Sequence, residues 1–100
     1  MVKHIILWDM ADGLSNDEKA QRASDIKSQL EALYGVVPGL LEIKVYDSFL
    51  PNSNAELVLY SVFESQEALN GYQVHPAHVK VATETVRPFT KNRRCVDFEA

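Results

Sequence analysis

One hundred residues with 46% hydrophobic and 24% charged side chains describe a single soluble globular domain, residues 1–100, too apolar for intrinsic disorder and too short to divide. A formal net charge of −4 without runs sets the chain apart from nucleic-acid binders, which cluster Lys and Arg; only Arg93 and Arg94 are adjacent basic residues. The lone Cys95 precludes an intrachain disulfide and fits a reducing, cytoplasmic setting, and no stretch approaches the ~18 apolar residues of a membrane span.

Val2 to Asp9 reads as a strand, with Val2, His4, Ile6 and Trp8 on one face and Ile5 and Leu7 on the other. Its apolar run is too short for a signal segment and has no small-residue cleavage site. Asp12-Gly13 signals a turn, and Ser15 with Glu18 forms a capping box that starts a helix at about residue 16. Ala23, Ile26, Leu30 and Leu33 make its apolar stripe, Gly35 its stop, and Pro38 keeps it from resuming.

Leu40 to Phe49 alternates as a half-buried strand, with Leu41, Ile43, Val45 and Phe49 placed on one side. After the polar turn Pro51-Asn52-Ser53-Asn54, the run Glu56 to Glu64 is apolar on both faces, which predicts a central strand. Ser65 caps a short helix to about Tyr72, and Pro76 opens another that ends before Pro88. Arg94 to Glu99 is the last strand.

The order β-α-β-β-α-β is the ferredoxin-like, split-βαβ pattern of an α+β protein: a four-stranded antiparallel sheet with two helices on one face. Strands apolar on both sides need a second cover for the bare face. A homodimer joined sheet to sheet is therefore expected.

Chemistry concentrates in Tyr72-Gln73-Val74-His75-Pro76-Ala77-His78. With Pro76 as the first helical residue, His75 stands at the cap, and a structural capping role is assigned to it. His78 falls in the first turn, where the helix dipole favours the neutral ring, and the bend at the helix break brings Tyr72 towards it. The pair reads either as satisfied helix-end residues or as a catalytic couple, a base with a phenol that donates to a developing oxyanion.

His4, sharing a face with Ile6 and Trp8, points into an apolar layer and needs a partner: Tyr72, His78 or a bound ligand. These side chains predict a cavity of a few hundred Å³ between sheet and helices, with His4, Ile6 and Trp8 in its lining. No metal is expected, because the HxxH step has no Cys or acidic companion, and Cys95 reads as a small buried hydrophobe. No cofactor is expected either: there is no glycine-rich phosphate loop, Walker-type lysine or GxSxG elbow.

Three segments resemble the stress-responsive A/B-barrel (Dabb) domain family: Val2-Lys3-His4-Ile5-Ile6-Leu7, His75-Pro76-Ala77-His78 and Val96-Asp97-Phe98. The resemblance implies a ferredoxin-like protomer in a two-fold dimer whose sheets form a barrel. Most bacterial members are of unassigned activity; plant members include heat-stable stress proteins and a polyketide cyclase. By resemblance to that cyclase, His78 matches the base, Tyr72 its partner and His4 a pocket histidine, although the first helix lines the pocket with Ala23 to Leu30 and no aromatic residue. Some relatives also carry a cation near the loop after the first helix, here Gly35 to Gly39.

Three readings follow. The first is a dimer with a small-molecule pocket; the second, a cofactor-independent cyclase or lyase, or a relative of the ferredoxin-like monooxygenases that use neither metal nor flavin. The third is a non-enzymatic, stress-associated structural dimer.

Overall fold

A computed structural model describes residues 1–100. Four strands, β1 (Val2–Met10), β2 (Leu40–Tyr46), β3 (Leu57–Phe63) and β4 (Thr90–Glu99), form one antiparallel sheet in the order β2-β3-β1-β4. The central places of β1 and β3 match their apolar character on both faces. One helical layer covers one face of the sheet, so the ferredoxin-like expectation holds.

Helix α1 (Asn16–Glu31) starts at the capping box: Ser15 Oγ accepts the Glu18 amide and the Glu18 carboxylate accepts the Ser15 amide. Ala23, Ile26 and Leu30 are buried, and Leu33 is buried in the turn that follows. At the other end, Lys27 Nζ donates to the Val45 carbonyl while Glu31 accepts the Val45 amide, so two helix side chains occupy backbone groups of the edge strand β2.

The β2 side assignment needs correction. The pairing with β3 shifts between Leu40 and Glu42, so Leu40, Ile43 and Val45 face inward while Leu41 is exposed. An extra residue at such a shift breaks the simple alternation of faces. Phe49 lies beyond the strand, in the loop. Just before β2, Gly39 has φ +78°, and a Cβ there would lie 2.5 Å from that of Ala68, so only glycine lets the strand enter beneath the next helix.

The second helical arm is segmented. Helix α2 (Gln66–Val74) breaks at His75, whose extended backbone (φ −65°, ψ 131°) follows from the proline after it, and α3 (Pro76–Val81) starts at that proline. A π turn (Ala82–Val86) and a 3₁₀ turn (Arg87–Phe89) then lead into β4, which begins four residues before the expected Arg94.

The outer face of the sheet is apolar and uncovered. Ile5 pairs with Tyr60 and Val96, and beside them lie Leu7, Val58 and Phe98, of which Val96 and Phe98 are nearly half exposed.

Candidate functional site

The break at His75 brings the chemistry together. His75 itself is occupied at the cap, its Nδ1 accepting the Ala77 amide at 3.1 Å. The bend folds α3 back on α2 so that the rings of Tyr72 and His78 stack, centroids 4.0 Å apart and planes inclined by 33°. Below them lie Phe63, 4.9 Å from the Tyr72 ring, and His4, 6.0 Å from it, each at a steep angle.

Tyr72 is wholly buried, yet its hydroxyl has no hydrogen-bond partner, and neither does the buried Nδ1 of His78. Buried polar atoms are nearly always paired, so two orphans on stacked rings mark a place where a partner is missing. Both side chains line a cavity of about 360 Å³ with His4, Ile6 and Trp8 of β1. It lies between sheet and helices, has a volume of a few hundred Å³, and is lined also by Leu30 of α1 and by Ala82 and Val86 of the π turn.

A second concavity, of about 390 Å³, lies between α1 and the β2–β3 loop. Of its charged lining residues Lys19, Asp47 and Glu56, the first and last pair with each other at 3.3 Å, and it contains no buried orphaned polar atom.

Burial raises the proton affinity of the Tyr72 phenol, which therefore stays protonated and keeps an O–H to donate; the positive charge of Arg93 opposes this weakly. His78 moves below the ordinary imidazole range, and again burial is the main cause, reinforced by His4, Arg87 and Arg93 and opposed by the Gln73 backbone. Burial thus acts in the same direction as the helix dipole expected from the sequence. The outcome is the same, a neutral ring at pH 7.

This has a consequence for stability. An unfolded chain protonates the His78 ring as pH falls through about 6.5, whereas the folded ring resists until a lower pH. Between those values the unfolded state binds more protons, so stability is lost as the medium is acidified. Melting temperatures measured from pH 7.5 to 5 are expected to fall less steeply for His78→Gln than for the wild type; parallel curves would refute the assignment.

His4, only 1% exposed, has its partner in Asp97, whose carboxylate hydrogen-bonds its Nδ1, rather than in Tyr72 or His78. The pairing was not anticipated from the sequence. It arises because β1 and β4 run antiparallel with His4 opposite Asp97. Cys95, two residues away on the same strand face, is exposed and not the buried hydrophobe expected, because β4 is an edge strand with little covering it. Its Sγ lies 3.7 Å from His4 Nδ1. His4, Cys95 and Asp97 thereby bring nitrogen, sulfur and oxygen donors within 4.8 Å of one another, although two of the three are engaged in the His4–Asp97 hydrogen bond. Gln73, Arg87 and Arg93 also reach the cavity, and sequence reading did not single them out.

Fold and site together define a ferredoxin-like α+β protein with a partly open, histidine- and tyrosine-lined cavity. The chain belongs to the Stress responsive A/B Barrel Domain family, whose model matches residues 2–100. No curated protein matches.

Among solved structures, a dimeric ferredoxin-like protein of unknown function from Bacteroides fragilis is 30% identical, with a TM-score of 0.88 over 99% of this chain and 95% of its own. A dimeric ferredoxin-like protein of unknown function from Thermobifida fusca is 20% identical (TM-score 0.82; 99% and 90% covered). The hydroxynitrile lyase of Passiflora edulis is 18% identical (TM-score 0.78; 97% and 90% covered). The last two share the fold. No helix here is long and apolar enough to cross a membrane.

Proposed function

We propose that this protein is a homodimer that binds a small organic molecule in the cavity lined by His4, Tyr72 and His78. The observation that carries the reading is the orphaned Tyr72 hydroxyl at a cavity of mixed polar and apolar lining. A ligand with an acceptor group would complete it, and about 360 Å³ falls at the lower end of the range for ligand sites. The uncovered face of Ile5, Leu7, Val58, Tyr60, Val96 and Phe98 supports the dimer, as do the dimeric relatives. The free Cys95 fits a reducing cytoplasm.

A second reading is enzymatic and rests on the stacked pair. Neutral His78 takes a proton from carbon next to a carbonyl through Nδ1, and the Tyr72 hydroxyl donates to the oxygen on which charge develops. Neither step needs a cofactor. The fold shared with a hydroxynitrile lyase supports lyase-type chemistry on this scaffold.

A thermal-shift screen of small carbonyl compounds tests both readings. Ligands are expected to raise the melting temperature of the wild type with the logarithm of their concentration and to do so weakly for His78→Ala. Turnover of a β-ketoacyl compound, abolished in His78→Ala with the melting temperature held within a few degrees, would support the enzymatic reading. Light scattering is expected to give twice the chain mass. Heat-stable higher oligomers with no ligand response would overturn the pocket and favour a purely structural protein.

A further inference from the structure

Charge is distributed unevenly around the cavity. The chain carries a net −4, yet no acidic side chain lines the cavity, while two of its four arginines, Arg87 and Arg93, do. Neither has a carboxylate partner: the ion pairs of the chain are His4–Asp97, Lys19–Glu56, Arg22–Asp25, Lys27–Glu31 and Lys91–Asp12. The two come from different elements, Arg87 from the turn after the π segment and Arg93 from the edge strand β4. Both act on His78. Apart from His4, Tyr72, Gln73 and His78, the remainder of the wall is apolar, chiefly Ile6, Trp8, Leu30, Leu59 and Val86.

We propose that the ligand is an apolar monocarboxylate, its carboxylate held by Arg87 and Arg93 at the rim and its body lying on the wall around Trp8. This rests on the pocket reading above and names its ligand class. A guanidinium presents paired N–H donors in a plane that matches a carboxylate, and arginines without an internal partner are free to use them. A phosphate is a poorer match. Phosphate sites usually add backbone amides from a glycine-rich loop or a nest, and no glycine lines this cavity. The orientation would leave the carbons beyond the carboxylate facing Tyr72 and His78, with Gln73 beside them.

Matched probes that differ only in charge provide the test. Titration calorimetry at low salt would compare phenylacetate, cinnamate and octanoate with their own carboxamides. At least one acid is expected to bind about tenfold or more tightly than its amide, the scale of a charge-assisted hydrogen bond. Added salt is expected to weaken the acid and leave the amide unchanged. Arg87→Gln and Arg93→Gln, both at exposed positions, should each reduce the preference several-fold with circular dichroism unaltered.

Equal binding of acid and amide would overturn the carboxylate assignment and leave the pocket standing. So would binding of amides or other neutral compounds alone. If neither the probes nor any screened compound binds the wild type, the pocket reading itself falls. If either variant misfolds, the salt dependence of the wild type decides.

Discussion

Phe63→Ala is expected to destabilise the fold by about 3–5 kcal/mol, the usual cost of removing a buried phenyl ring. Phe63 is 0% exposed, sits at the end of β3 between Val2 and Leu40, and supports the rings of Tyr72 and His4 from below, at centroid distances of 4.9 and 6.2 Å. Its loss opens a void that neighbouring backbone, hydrogen-bonded into the sheet, can close only partly. For a domain of this size the melting temperature would fall by roughly 12 to 40 °C. Phe63→Leu, which refills part of the volume, should fall much less. Both melts belong at one protein concentration, since a dimer's midpoint depends on it. A drop of only a few degrees in the alanine variant would show that the Tyr72 support lies elsewhere.

Tyr72→Phe is expected to have the opposite effect on stability and the larger effect on function. The phenol oxygen is buried without a partner, so folding strips it of water and returns nothing. Removing it is expected to stabilise the protein by about 1 kcal/mol, the lower end of the penalty for an unsatisfied buried hydroxyl. The same change removes the only group at the Tyr72 position able to donate to a ligand. Ligand affinity should fall about tenfold. If the site performs proton transfer, kcat should fall by about 10²–10³, as when an oxyanion donor is removed. A variant that is less stable and binds as before would assign the hydroxyl to structure alone.

Much of the frame was legible because it is local. The Ser15–Glu18 capping box, the Ala23-Ile26-Leu30 stripe and the break at His75-Pro76 depend on neighbours three or four residues away. Tyr72 and His78 could be paired from sequence for the same reason: a short break with a proline after it must bend, and only five residues separate them. Leu41 was misassigned because a register shift at Leu40/Glu42 is a property of the pairing with β3 and not of β2 by itself.

The members of the site that were missed are those whose roles depend on β4. Asp97, Cys95 and Arg93 alternate with Val96 and Phe98, so strand parity alone puts the first three on one face. That parity was the available signal. Connecting them to His4 also required the register between strands at opposite ends of the chain.

By itself, then, the sequence determined the order of the elements, the starts of α1 and α3, the two-faced central strands and the approach of Tyr72 to His78, all consequences of short-range geometry and of hydrophobic period. Only the tertiary structure decided that His4 pairs with Asp97, that Cys95 is exposed, that burial holds His78 below the ordinary imidazole range, and that two arginines without carboxylate partners flank an acid-free cavity. Those properties are set by what surrounds a group in space. Solvent exclusion and long-range register come into being when distant segments pack, and no local pattern encodes them.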